Sequence, residues 1–435
     1  MSLHDRVRHG RLLAAAALAL VWLASGAAAA DKLAGFHAAA ESITGEDLQK
    51  HVEFLAAPER EGREAGTRGG QAAGTYVADQ LAALRLRGAG SNGGYFQHFA
   101  PNSRNVLALL EGRDPELKNQ VIVVGAHYDH VGYGRSGGAL GEVGLIHPGA
   151  DDNASGTAGV LELARAFSRL PQSPRRSILF AFWDAEEKGM LGSRHWVDNP
   201  TLPLDRVVLL VNFDMIGRLR NDRLTLFGSH TGYGLRRLAS THNDPPLLID
   251  FRRAVVPQAD HTPFYESDIP VLVFHTGMHP QYHRAGDSAA LTNATGMERV
   301  VRLVFGVVCD AANRDQAPRF REASRGEPER PPTEIAPLPP VNGPPLRVGV
   351  TWRSDDAEPG TAVVIRVAAD SPASRAGLRP GDRIYQVAGR DFADENQVFT
   401  LLTTLPGPIK LLVEREGHLQ TVEIRLAAAP QRRAA

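Results

Sequence analysis

The sequence predicts an α/β protein: a mixed, mainly parallel central sheet with helices on both faces, followed by a small C-terminal β-rich domain. Three observations carry this expectation. Between residues 120 and 280 the runs QVIVVGAHYDHVG, RSILFAFWDAEE, VVLLVNFDMIG and IPVLVFHTG are short and nearly continuously apolar, as strands buried on both faces are. Helical stretches separate them, the order expected of a sheet sandwiched between helices. At 435 residues the chain also exceeds the size at which one core usually keeps growing. The composition breaks at RDQAPRFREASRGEPERPPTEIAPLPPVNGPPL, which is proline-rich, charged and poor in apolar residues. The expected boundaries are therefore 1–30 for a leader, 31–313 for the main domain, 314–345 for an extended linker, 346–428 for the small domain and 429–435 for a tail.

Arg6, Arg8 and Arg11 precede the apolar run LLAAAALALVWLA and the small residues of SGAAAADK. This order predicts a secretory signal peptide cleaved after Ala30, with no stable membrane span afterwards and a periplasmic or extracellular destination. Its removal takes three Arg and one Asp and leaves a net charge of −3. Lys and Arg number 48 against 49 acids, a balance that gives no footprint for nucleic acid. Next, GTRGGQAAGTYVADQLAALRL reads as an amphipathic helix, preceded by the polar, glycine-bearing EREGREAG. Cys309 is the sole cysteine. No internal disulfide is possible, and its place in VVRLVFGVVC predicts a buried packing residue.

The stretch GADDNASG (149–156) crowds two aspartates and an asparagine ahead of a helical pattern with Val160, Leu163, Ala164 and Phe167 on one face. Helix capping accounts for one acid. Two adjacent carboxylates repel unless a cation neutralises both, so capping and metal binding both stand at this point. The strand ends shift the balance. His127 and Asp129 close the first run, Glu186 and Glu187 the second and Asp214 the third, while His283 and Asp287 follow the fourth. Ligands of open α/β sheets bind at the carboxyl ends of strands, so these groups are expected to converge, and divalent cations would neutralise them.

HYDHVG, GADDNASG, AEEKGMLGS, NFDMIG and HPQYHRAGD, in this order, resemble the motif set of the M28 family of zinc-dependent peptidases, which includes many secreted bacterial aminopeptidases. The resemblance covers roughly residues 41 to 312 and implies the zinc exopeptidase fold. It implies two Zn2+ per chain, with Asp152 bridging, His127 and Asp214 completing one site, and Glu187 and His283 the other. Glu186 is then the general base, Asp129 the carboxylate behind His127, and Tyr282 a donor to the oxyanion. Asp151 and Asn153 would hold the turn, and a strained peptide bond is expected between Asp152 and Asn153. His130, His147, His261, His275 and His279 are left as structural or pocket-lining residues, since the ligand count is already complete.

The segment VAADSPASRAGLRPGDRIYQVAGRDF resembles a PDZ domain of the bacterial envelope-protease type, with LRVGV (346–350) where its carboxylate-binding loop would lie. That loop offers only Gly349, a departure from the usual glycine-rich form. The resemblance implies peptide or protein substrates, and peptide C-termini as ligands of the small domain by strand addition. A small domain that only packs against the main one is the competing reading. For the whole chain, the reading is an exported zinc-dependent exopeptidase, in first place an aminopeptidase. Its alternatives are an inactive peptidase-like binding ectodomain and a glutaminyl cyclase-like transferase with a single zinc.

Overall fold

The computed structural model describes residues 33–100, 102–135, 138–253, 255, 259–327 and 347–426. The expected leader, most of the linker and the tail lie outside the described residues. Helices α1 (Gly45–Leu55) and α2 (Arg68–Ala83) precede β1 (Arg87–Gly88), β2 (Phe96–His98), β3 (Arg104–Leu110) and β4 (Val121–His127). There follow α3 (Gly156–Ser168), β5 (Ser177–Trp183), α4 (Leu191–Asp198), β6 (Val207–Phe213), β7 (Arg223–Phe227) and α5 (Leu235–Thr241). The first domain ends with β8 (Leu248–Arg252), α6 (Thr262–Glu266), β9 (Val271–His275) and α7 (Ala294–Asn313). The four apolar runs named from sequence are β4, β5, β6 and β9.

These strands form one sheet in the order β1-β3-β5-β4-β6-β9-β7-β8, with β2 added to β3. The central strands β5, β4, β6 and β9 run parallel. Antiparallel strands flank them, β3 on β5 and β7 on β9. Side chains alternate strictly across the sheet, which puts two cores on its two faces. Ile122, Val124 and Ala126 of β4 join α1, α2, α3, α5 and α7 in the larger core, while Val121 and Val123 join Trp183, Trp196 and Phe264 in the smaller. The helix expected from GTRGGQAAGTYVADQLAALRL is α2; Thr67 caps it by accepting from Gly70 N. Cys309 is half-buried at the margin of the larger core, where the sequence suggested an enclosed position. It lies on α7 at a helix face that reaches the surface.

No described helix is long and apolar enough to cross a membrane. Residues 314–327, assigned from sequence to the linker, carry a short 3-10 helix (Glu322–Gly326). They also bond back to the first domain: Arg314 pairs with Asp310 at 2.7 Å, and Phe320 bridges Gly232.

The C-terminal domain comprises β10 (Val350–Ser354), β11 (Ala362–Val367), α8 (Pro372–Arg375), β12 (Arg383–Val387), α9 (Glu395–Thr404), β13 (Ile409–Arg415) and β14 (His418–Ile424). Its antiparallel sheet follows chain order, β10 to β14, over a core of its own that includes Val364, Ile384, Leu411 and Val413. It is docked on α5 and β8. Arg236 donates to both oxygens of the fully buried Glu414 carboxylate at 2.8 and 3.0 Å. Glu358 accepts from the backbone N–H of Arg236 and of Arg237, and Ile249 N donates to Glu416 O at 2.8 Å. Gly417 lies so close that a Cβ there would stand 2.6 Å from the side chain of Ile249.

Removing one partner of a buried pair leaves the other charge uncompensated. Glu414→Ala is therefore expected to weaken the junction by about 3 kcal/mol and to split thermal unfolding into two transitions in scanning calorimetry. A single transition at the wild-type temperature would show that the pair does not hold the domains together.

Candidate metal centre

The parallel register explains why residues far apart in sequence meet. His127 is the last residue of β4 and lies level with Trp183 in β5, so the turn after β5 delivers Glu186 and Glu187 beside it. The end of β6 brings Asp214 to the same edge. Asp152 arrives from the irregular turn Ala150–Ser155 ahead of α3, and His283 from the segment after β9. Ala185, Met215 and His283 itself have φ of +59°, +58° and +53°. Non-glycine residues hold that conformation only where their surroundings impose it.

Asp152 is the pivot. Its Oδ1 is 3.4 Å from His127 Nε2, and its Oδ2 is 2.9 Å from His283 Nε2. His127 Nε2 is 3.9 Å from Asp214 Oδ1, and His283 Nε2 is 3.1 Å from Glu187 Oε2. Ligand-type atoms thus gather in two clusters that share Asp152, each set lying within 4.8 Å: His127, Asp152 and Asp214, and His130, Asp152, Glu187 and His283. Glu186 lies in reach of His127 and Glu187. Burial pushes its carboxyl well above the usual carboxylate range.

The donor sets suit divalent cations. His283 Nδ1 stands 2.6 Å from Gly138 O, which makes that nitrogen an N–H and turns Nε2 toward Asp152 and Glu187. His127 is oriented likewise through Nδ1, 3.3 Å from Asp129 O and 3.6 Å from the Asp129 carboxylate. Imidazole nitrogens and carboxylates this close call for a proton or a cation between them. Asp129 has a second task, since its carboxylate accepts from Glu186 N at 3.0 Å and Glu187 N at 3.4 Å. Tyr282 stacks on His283 with ring centroids 3.8 Å apart. Burial and the surrounding carboxylates raise its phenol far above the usual range, so it remains a donor.

A second layer holds the ligand loops. The peptide bond between Asp152 and Asn153, expected to be strained, is cis. Asp287 accepts from the backbone N–H of Asp151 at 2.9 Å and Asp152 at 3.1 Å. Asp151 Oδ1 takes Gly217 N, and Asn153 Oδ1 takes Gly156 N and Met215 N, which ties the turn to the end of β6. No side-chain cap closes α3 at Ser155, so capping does not explain the paired aspartates.

Behind these loops lies Arg63, fully buried, from the segment EREGREAG to which the sequence assigned no role. It donates to the carbonyls of Leu55, Tyr128, Pro148 and Gly149, the last three flanking the ligand loops. Burial lowers its guanidinium to about 10, while Asp129 and Asp152 pull the other way.

Of the histidines set aside as lining, His279 Nε2 pairs with Asp151 Oδ2 at 3.2 Å, His147 bonds Leu140 O and Leu145 O, and His275 accepts from Gly277 N. His261 is buried. His130 differs from these: it stands inside a ligand cluster, 2.8 Å from Glu187. A second imidazole three residues beyond the first in HYDH was the available sequence signal.

Comparison with known proteins comes from independent directions. Residues 105–308 match the model of peptidase family M28, and residues 363–415 match a PDZ domain. The chain is 32% identical over 178 residues to leupeptin-inactivating enzyme 1 of Streptomyces exfoliatus, covering 38% of this chain and 34% of that protein. It is 27% identical over 227 residues to aminopeptidase YwaD of Bacillus subtilis, covering 50% and 46% respectively. The chain thus spans between a third and a half of the length of these curated relatives. In fold it is similar to the LapA aminopeptidase of Legionella pneumophila, with a TM-score of 0.53 at 22% identity over 65% of this chain and 75% of that one.

Because Asp152 offers one oxygen to each cluster, Asp152→Ala should weaken metal binding at both by at least about tenfold, read by elemental analysis of metal-loaded protein after dialysis. A variant that keeps its full metal content would rule out a bridging aspartate.

Proposed function

Since the chain carries a peptidase family M28 domain followed by a PDZ domain, we propose that it is an exported, zinc-dependent aminopeptidase working with two cations. The observation that carries the reading is the orientation of Asp152, whose two oxygens face two separate ligand clusters. His127, Asp152 and Asp214 would hold one ion, and Asp152, Glu187 and His283 the other. Imidazole mixed with carboxylate is the donor set that suits zinc. Shared occupancy of Asp152 favours this reading over a transferase with a single zinc. The intact Glu186 and ligand set favour it over an inactive binding domain.

Two zinc ions so held would supply Lewis acidity toward the scissile carbonyl and toward the attacking water. The remaining steps belong to the chain's own groups. Glu186 lies beside both clusters without being needed by either, so it accepts the proton of the attacking water and returns it to the leaving amine. Asp129 holds the Glu186 amide and orients His127, which sets the base relative to the ligands. Tyr282, protonated and stacked on a ligand ring, donates to the oxyanion that develops on the carbonyl. The aminopeptidase relatives support attack from the substrate's N-terminus.

For the C-terminal domain, β10 is a terminal strand of its sheet. A peptide C-terminus adding to that edge is the reading its PDZ family supports. The N-terminal run of arginines, apolar and small residues supports export to the periplasm or beyond.

Purified protein is expected to hydrolyse peptides with a free N-terminus and to spare the same peptides when N-acetylated, with activity lost on chelation and restored by zinc. Equal cleavage of both forms would exclude an aminopeptidase. Glu186→Gln should retain wild-type metal content while kcat falls by about 10² to 10⁴-fold. Activity near wild type in a fully metallated variant would remove Glu186 from the role of base.

A further inference from the structure

We propose that His130 is a further protein ligand of the cation held by Asp152, Glu187 and His283, making that site the richer of the two in nitrogen. This inference rests on the two-cation reading given above.

Glu187 sits between two imidazoles, with Oε1 2.8 Å from His130 Nδ1 and Oε2 3.1 Å from His283 Nε2. Asp152 Oδ2 is 2.9 Å from His283 Nε2 and 4.0 Å from His130 Nδ1. The two rings meet edge to face, with centroids 5.5 Å apart and planes at 78°. One nitrogen from each ring and one oxygen from each carboxylate therefore enclose a common space, with all four atoms within 4.8 Å of one another. Four ligands of this kind make a closed set for zinc.

The chain is built to keep the ring there. His130 is buried, and its backbone N–H donates to Arg63 O. Gly149 has φ +58°, and a Cβ at that position would stand 2.5 Å from His130 Cγ and Cδ2. Any larger residue would drive the imidazole out of the cluster or the Asp152 loop out of register. A histidine that merely filled space would not need a polar nitrogen aimed at a carboxylate.

Ligation makes the two sites unequal. The His127 cluster offers one imidazole and two carboxylates, the His130 cluster two imidazoles and two carboxylates. Imidazole favours zinc over the oxygen-preferring metals, so the His130 site should fill first and retain zinc longest.

The competing role is orientation, in which His130 Nδ1–H only donates to Glu187. His130→Asn separates the two, because its amide nitrogen can stand where Nδ1 stands and still donate, but it is a poor zinc ligand. Zinc titration of metal-free protein, followed by competition with a chromophoric chelator, is expected to show two binding steps in the wild type. In His130→Asn the tighter step should weaken by about a hundredfold or more, with the weaker step changed little. The d–d spectrum of the cobalt-substituted protein should shift in the same step.

A wild type that binds a single ion would overturn the two-cation reading itself. A wild type with two steps and an Asn variant with both affinities and the cobalt spectrum unchanged would overturn the ligand role of His130 alone. Should the variant misfold, cadmium-113 NMR of the unaltered protein decides. Ring protons of three histidines coupled to cadmium, two of them to one ion, are expected, and coupling from two histidines only would overturn the proposal.

Discussion

Negative charge gathered at one edge of a sheet is the constraint on which the rest of this molecule depends. Parallel pairing of β4 with β5 and β6 carries Asp129, Glu186, Glu187 and Asp214 to the same edge, and the turn before α3 adds Asp152. Left alone, such a set would drive its loops apart or take up protons. Cations between the carboxylates would resolve the conflict from the front. From behind, the charge of Arg63 does so without meeting any of them directly, because its hydrogen bonds go to main-chain carbonyls. A buried guanidinium bonded to carbonyls keeps its full field while fixing the backbone that aims the acids.

Around the candidate ligands, carboxylate and amide side chains tie the loops together through backbone amides. Asp287 takes two amides of the Asp152 turn, Asp129 takes two amides of the Glu186 turn, and Asn153 takes amides from α3 and from the end of β6. Apart from the local bond between Asn153 and Gly156, each spans a large sequence separation and locks one loop to another. The left-handed backbone at Met215 is held by its bond to Asn153, which is how a residue without glycine's freedom comes to occupy it.

The legibility of the sequence divides along physical lines. The central strands were readable because strands buried on both faces write continuous apolar runs, and acids at their ends stand out against that background. Both domains and the helix α2 followed from composition and periodicity. His130 left one signal, the second imidazole of HYDH, which a ligand count already complete set aside, whereas Arg63 left none, because its part arises from burial and from the carbonyls that face it. The junction between the domains was equally hidden. Arg236 and Glu414 look like ordinary surface charges in sequence, and only the docked structure removes them from water. The first residues after Asn313 illustrate a further gap, since a polar, proline-bearing composition says little about whether a segment is anchored by a few specific bonds.

The seating of Glu416 and Gly417 against Ile249 bears on a hazard common to all open sheets. Strand β8 is the last in its sheet, and a terminal strand presents unpaired amides and carbonyls that another molecule's strand can take. Here the hairpin turn between β13 and β14 occupies that border and accepts the Ile249 amide. The small domain thus leaves less of that border open to a second copy of the chain. A homologue lacking such a domain must protect its corresponding border by other means, with charge, proline or a shortened strand.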